Sequence, residues 1–208
     1  HWFGKKFSIP NTSKIFLVAG MAAGFAGLFQ TPLAAILFAM EVLVVGTMQL
    51  TALYPAMIAS FVASWTSHAL GLEKFVQPIS VHLVLSPTLL IKLVFLGVLF
   101  GLCGNLFAYA LSWSKKKVAI IFPNPYKRIV VMGVVLSIVF LLLDKGRYSG
   151  LGTNLIAASF AGQSVYVYDW LFKLLLTVLT LAAGFQGGEV TPLFAIGASL
   201  GVLLAGLF

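Results

Sequence analysis

The sequence is poor in charge. Its 208 residues include only 13 Lys and Arg and 5 Asp and Glu, so that 9% are charged and 61% are hydrophobic. Average soluble domains carry about 25% charged and 45–50% apolar residues. Charge-free runs such as 15–40, 42–72 and 93–114 exceed the roughly 20 residues that an apolar helix needs to cross a bilayer. We therefore predict an all-α integral membrane protein and exclude a soluble enzyme.

Cysteine is almost absent, because Cys103 stands alone. This single thiol excludes an intramolecular disulfide and a paired-cysteine metal site. His68 and His82 lie near predicted loops and have no cluster of carboxylates or cysteines at ligand spacing. We therefore predict neither a bound metal nor any other cofactor.

The cations are grouped in a way that indicates membrane topology. Five of them bracket one short loop: Lys115, Lys116, Lys117, Lys127 and Arg128. We expect the three consecutive lysines to end, near Lys116, a long helix that starts at Ser86-Pro87. The positive-inside rule places such a loop in the cytoplasm, whereas the nearly neutral loop 71–87 belongs on the opposite side. We expect a multi-pass protein of the cell membrane, with the lipid bilayer and not nucleic acid as its partner.

Two apolar stretches are broken by Thr-Pro pairs, at Thr31-Pro32 and at Thr191-Pro192. Threonine is a good helix cap, and proline suits the first helical position because it has no N–H to leave unbonded. We predict a new helix at each pair and about seven or eight helices in all. Discontinuous helices of this kind are typical of secondary transporters.

The segment before the second Thr-Pro pair is the strongest candidate for a binding site. Two glycines allow a tight turn and a close approach of the backbone to a ligand. Free N–H groups and the positive end of the helix dipole then bind an anion without a fixed cation. We predict an anion site formed by Gly187, Gly188, Glu189, Val190 and Thr191. The alternative is an ordinary capped helix start.

Glu189 is a carboxylate next to an apolar run, where ionisable side chains are costly and usually face a pathway or another charge. Burial disfavours its charged form and the helix dipole favours it, so the group is suited to exchange protons. We predict that Glu189 couples transport to protons, the alternative being a structural acid at a helix start. Glu41 lies near the end of its helix, and we favour a structural role there.

Residues 20–41, GMAAGFAGLFQTPLAAILFAME, resemble the signature of the CLC family of anion channels and proton-coupled anion antiporters. The glycine-rich segment 149–156 and the Gly-Gly-x-x-x-Pro segment 187–192 resemble further family motifs in the same order. The resemblance implies CLC-type broken and tilted helices from inverted repeats, with 1–72 ending the first repeat and 73–208 starting the second. It also implies a homodimer in the bacterial plasma membrane.

Two departures from the family pattern bear on the transported ion. Val42 stands where chloride/proton exchangers carry an internal proton-relay glutamate, and Glu189-Val190-Thr191 replaces an apolar pair and a small residue. This combination is similar to the fluoride/proton antiporter branch, in which a glutamate and a threonine of this loop serve proton coupling and fluoride coordination. The resemblance thus implies fluoride export in exchange for protons. A chloride channel or chloride/proton antiporter is the alternative.

Three parts of the family's transport pathway have no counterpart in this sequence: the first anion-binding loop, the loop of the gating glutamate and the late pore tyrosine. The chain is therefore expected to be the middle of a transporter. An inactive membrane fragment is a second alternative.

Overall fold

The computed structural model describes residues 12–42, 47–72 and 86–206. All regular structure in these ranges is helical and comprises eight α-helices and two 3-10 turns. The prediction of an all-α protein with seven or eight helices is confirmed. The chain divides into two compact units, His1–Ile79 and Ser80–Phe208. Their assignment to two inverted repeats stays a prediction.

The first unit contains α1 (Thr12–Phe29), α2 (Pro32–Val42) and α3 (Leu53–Ala69), the last preceded by a 3-10 turn at Leu50–Ala52. Small side chains line the contact of α1 with α3, where Ala22 and Ala56 belong to one buried cluster. The Ser67 hydroxyl of α3 donates to the Gly27 carbonyl of α1 at 2.7 Å. Close backbone approach and interhelical hydrogen bonds of this kind are what hold helices together in lipid.

The break between α1 and α2 falls at Gln30, which has a positive φ of 51°. Its amide donates to the Ala26 carbonyl at 2.8 Å and so ends α1, while its side-chain amide reaches the Leu72 carbonyl at 3.3 Å. Helix α2 begins at Pro32, and the Thr31 carbonyl accepts from the Ala35 amide at 3.0 Å. The Thr-Pro pair therefore stands at the point where the chain changes direction.

The second unit begins with two long helices, α4 (Pro87–Ile121) and α5 (Pro125–Leu142). Each has proline in its first turn and a capping side chain before it. The Ser86 hydroxyl accepts from the Leu89 amide at 3.2 Å, and the Asn124 side chain accepts from the Tyr126 amide at 2.9 Å. With α1, these are the three described helices that are long and apolar enough to cross a membrane.

The three consecutive lysines do not end α4, contrary to the sequence-based expectation of an end near Lys116. The helix continues to Ile121, with Phe122 as its C-terminal cap. Lysine is a good helix former, whereas Pro123 disfavours helical backbone at the residue before it. The cationic cluster therefore lies mostly on the last turns of α4 and the first turn of α5. The loop 71–87, predicted to lie on the other side of the membrane, falls largely outside the described residues, and His82 falls wholly outside them.

Three shorter helices complete the second unit: α6 (Thr153–Phe160), α7 (Asp169–Ala183) and α8 (Val190–Ala205). Helix α7 packs against α4, α5 and α8, while α6 packs against α8. Leu174 and Val178 of α7 meet Ile196 of α8 in a buried cluster that also includes Phe107 and Leu111 of α4. Helix α7 is therefore the central element of this unit.

Two buried charged residues one turn apart on α7 anchor the loop 147–152 that leads into α6. The Asp169 carboxylate accepts from the Tyr148 hydroxyl at 2.7 Å and from the Arg147 guanidinium at 2.6 Å and 3.2 Å. The Lys173 ammonium donates to the carbonyls of Tyr148 at 2.9 Å and Gly150 at 2.7 Å. Asp169 is 0% and Lys173 is 1% exposed. These bonds satisfy charges that would otherwise be costly to bury.

Gly152 is the point at which this loop is most tightly enclosed. Its φ is +81°, and a Cβ placed on it would lie 2.7 Å from the Ala195 Cβ of α8 and 2.8 Å from the Lys173 Cε of α7. A side chain at this position would push against two helices at once. The glycine thus lets the start of α6, the buried lysine and α8 meet.

We expect Gly152→Ala to destabilise the protein by roughly 1–3 kcal/mol more than Gly150→Ala. Gly150 is the matched control because its φ is also positive, at +59°, but a Cβ there meets nothing within 4 Å. Thermal unfolding of the purified variants in detergent measures the difference. Equal melting temperatures for the two variants would show that Ala195 and Lys173 move aside for the added Cβ without a loss of stability.

Candidate functional site

The candidate site begins where α7 ends. Gly184 has a φ of 101°, and its amide donates to the Leu181 carbonyl at 3.2 Å. The Arg128 guanidinium of α5 donates to the Ala183 carbonyl at 3.1 Å and so satisfies a carbonyl that the helix leaves open. A Cβ on Gly184 would lie 3.2 Å from this guanidinium. The glycine and the arginine together fix the direction in which the chain leaves α7.

Helix α8 begins at Val190, with Glu189 at its N-cap position. Thr191 and Pro192 therefore occupy the second and third helical positions, and Thr191 is not the cap that its place before a proline suggested. The earlier start is possible because the first N–H groups of a helix have no intrahelical partner, so a proline at the third position sacrifices no hydrogen bond. The first such bond runs from the Leu193 amide to the Glu189 carbonyl at 3.1 Å.

The start of α8 has the features of an anion site. The Glu189 side chain makes no capping hydrogen bond to the helix, so it does not occupy the first N–H groups of α8. Glu189 is exposed, while Val190 and Thr191 are half-buried. Uncapped amides at the positive end of a helix dipole attract a negative ion, and the Thr191 hydroxyl is a further donor in the same turn.

Gly187 and Gly188 line a cavity of about 230 Å³ between this loop and the anchored loop 147–152. The other walls include Tyr148, Gly150 and Lys173, the last with its ammonium bonded to two carbonyls of that loop. The glycine pair thus shares one cavity with a buried cation. Lys173 is not among the site residues predicted from the sequence. Its signal in the sequence is a lone lysine within the apolar run of α7, because ionisable residues in such runs are usually functional.

Glu189 faces a second cleft, of about 490 Å³, between α4 and α8. The Lys115 ammonium of α4 lies 3.9 Å from a Glu189 carboxylate oxygen, and the two side chains are 52% and 45% exposed. This lysine is the charged partner of Glu189 that the sequence does not reveal. The predicted site residues therefore do not share one cavity. Gly187 and Gly188 line the first cavity, and Glu189 faces the second cleft.

The remaining sequence candidates lie elsewhere. In the first unit, Thr31 directly precedes α2 and Pro32 is its first residue. Glu41 is exposed in the last turn of α2, and His68 is in the last turn of α3. Among the described residues, no group of three or more His, Cys, Asp or Glu side chains is placed to hold a metal ion.

Long apolar helices and a glycine-rich start of α8 are features of membrane proteins of the anion channel and transporter class. All 208 residues, 1–208, match the family model of the voltage gated chloride channels, so the chain belongs to the CLC family. The resemblance inferred from the sequence is confirmed. Because CLC proteins are channels or transporters, the prediction that this chain is not an enzyme is confirmed as well.

Individual relatives agree with the family assignment. A chloride/fluoride channel protein of Pseudomonas syringae pv. tomato is 37% identical over 93% of this chain and 44% of the relative. The ClC-type chloride channel ClcB of Salmonella typhimurium is 26% identical over 97% of this chain and 49% of the relative. The crystal structure of a CLC-type fluoride/proton antiporter is 51% identical with a TM-score of 0.93, covering 99% of this chain and 52% of that one. The chain spans about half the length of these relatives.

We expect Lys173→Met to lower the stability of the protein by about 2 kcal/mol or more, because it leaves the Tyr148 and Gly150 carbonyls without their donor. Lys116→Met, at an exposed position of α4, is the control and should change little. Thermal unfolding in detergent measures both. An unchanged melting temperature for Lys173→Met would mean that the methionine restores the packing and that the two carbonyls find other donors.

Proposed function

We propose that this protein exports fluoride across the bacterial plasma membrane in exchange for protons. The proposal rests mainly on the start of α8, where Glu189, Val190 and Thr191 follow the glycine pair in the sequence. The resemblance to the fluoride/proton antiporter branch rests on the same residues. The solved antiporter, which is 51% identical to this chain over the aligned residues, supports the same conclusion.

Anion binding follows from the chemistry of the helix start. The amides around Glu189 and Val190 and the Thr191 hydroxyl are donors grouped at the positive end of α8. Fluoride is small and holds its water strongly, so a site that strips this water needs additional donors in place of it. A hydroxyl next to the amides meets that need better than the small apolar residue of the chloride branch.

Proton coupling follows from the position of Glu189. In its charged form the carboxylate competes with the transported anion for the same amides, and in its protonated form it does not. Release of the carboxylate and entry of the anion are thereby linked, so that a proton takes part in each cycle. Because Val42 replaces the internal relay glutamate, Glu189 has to work with groups outside these 208 residues.

Chloride transport is the second candidate function. It is favoured by Val42, which also fits CLC channels, and by the chloride channel names of several relatives. For either function we expect a homodimer in the lipid bilayer, with the turn between α4 and α5 in the cytoplasm because Lys115, Lys116, Lys117, Lys127 and Arg128 flank it.

We expect Thr191→Ala to weaken fluoride transport about tenfold or more and to reduce its preference over chloride. A hydrogen bond to a charged group is worth roughly 1.5–3 kcal/mol, which corresponds to that factor. Thr191→Ser retains the hydroxyl and serves as the matched control. Ion-selective electrodes can follow fluoride and chloride efflux from liposomes containing the full-length gene product. Equal rates of fluoride efflux for the alanine and serine variants would show that the Thr191 hydroxyl takes no part in fluoride transport.

Glu189→Gln should abolish or uncouple proton-linked fluoride movement while the protein remains folded, because glutamine has nearly the same shape but cannot ionise. Asp144→Asn, an exposed acid in the turn after α5, is the control. The measurement is proton movement driven by a fluoride gradient in liposomes. Normal coupling in the Glu189 variant would reduce this residue to a structural acid at the start of α8.

A further inference from the structure

The cleft that Glu189 faces has an unusual charge distribution. Its described lining consists of Gly104, Phe107, Ala108, Leu111, Ser112, Lys115, Glu189 and Leu193. Lys115 and Glu189 are the charged members of this set, and their side-chain nitrogen and oxygen lie 3.9 Å apart. Two other cations near the segment between α7 and α8 bond to backbone carbonyls instead. Arg128 of α5 bonds to the Ala183 carbonyl, and Lys173 of α7 bonds to the carbonyls of Tyr148 and Gly150.

The backbone of Lys115 is held in place by the packing of α4. Leu111, Ser114 and Val118, which flank it along the helix, are buried. The lysine stem therefore starts from a fixed point, while its half-exposed end can move within the cleft. Lys116 and Lys117 do not line the cleft, and the Lys117 ammonium lies over the Trp113 ring at 5.9 Å from the centroid. Of the three consecutive lysines, Lys115 is therefore the one that faces Glu189.

We propose that Lys115 is the counter-ion of Glu189 and passes from the carboxylate to the transported anion when Glu189 is protonated. This rests on the proposed function, because it assumes that an anion and a proton meet at the start of α8. The ammonium attracts whichever negative charge is next to it. With Glu189 ionised, that charge is the carboxylate; with Glu189 protonated, the pair is lost and the ammonium attracts an incoming anion.

The expected effect of removing the Lys115 charge follows from this pairing. The ammonium and the carboxylate lie 3.9 Å apart and both side chains are about half exposed, so water partly screens the attraction between them. Loss of the Lys115 charge should weaken anion binding, since one attraction for the anion is removed.

The test compares Lys115→Gln with Lys115→Arg and Lys116→Gln in the full-length gene product reconstituted in liposomes. Fluoride-driven proton movement is measured, together with the fluoride concentration for half-maximal transport. Lys115→Gln should raise the half-maximal concentration severalfold. Lys115→Arg, which keeps the charge, and Lys116→Gln, which removes a charge one residue away, should both resemble the unmodified protein.

A double variant separates this pairing from a general effect of charge. In a Glu189→Gln background the carboxylate no longer pairs with the ammonium, so Lys115→Gln should weaken fluoride binding by a larger factor than it does in the unmodified protein. Calorimetry on the purified full-length variants measures fluoride binding. Equal fluoride binding by Lys115→Gln and Lys116→Gln, while Glu189→Gln still uncouples protons, overturns the counter-ion role and leaves the proposed function intact. Absence of any proton-coupled fluoride movement in the unmodified protein overturns both.

Discussion

Asp169 and Lys173 introduce two opposite charges into a unit built almost entirely from apolar helices, and the arrangement of that unit depends on how these charges are satisfied. Standing one turn apart on α7, they bind the two sides of the same short loop. The acid holds the side chains of Arg147 and Tyr148, and the ammonium holds backbone carbonyls. Removing either charged side chain would leave its partners in the loop buried and unbonded, and such a loss costs more than a buried charge interaction gains. The two sets of bonds therefore fix one conformation of the loop.

The position of the proposed anion site follows from this anchor. The loop held by Lys173 brings Gly152 against Ala195 of α8, and α7 packs along the same helix. At the other end of α7, Arg128 and Gly184 set the exit of the chain into the glycine-rich loop. The start of α8 is thus fixed from two directions, while the Glu189 side chain makes no capping hydrogen bond to its amides. In the proposed function these amides are the donors for the transported anion.

The helices and the candidate site loop are predictable from the sequence, but the contacts between them are not. The limits of α7 follow from Asp169 and Gly184, because an acid begins the apolar run and a glycine ends it. The end of α4 was predicted too early, since a run of charge was taken as a boundary where only Pro123 stops the helix. The pairing of Lys115 with Glu189 joins residues that are far apart in the chain, and no local pattern encodes it. Nor does any local pattern place Lys173 beside the glycine pair.

We propose that the start of α8 exchanges fluoride for protons, and a flux measurement on the unmodified full-length gene product is the decisive test. Liposomes loaded with fluoride or with chloride at equal concentration are diluted into a buffer free of both ions, with a pH indicator outside. The fluoride gradient should drive protons into the liposomes, whereas the chloride gradient should do so weakly or not at all. Anion efflux without proton uptake, or faster efflux of chloride than of fluoride, would contradict it.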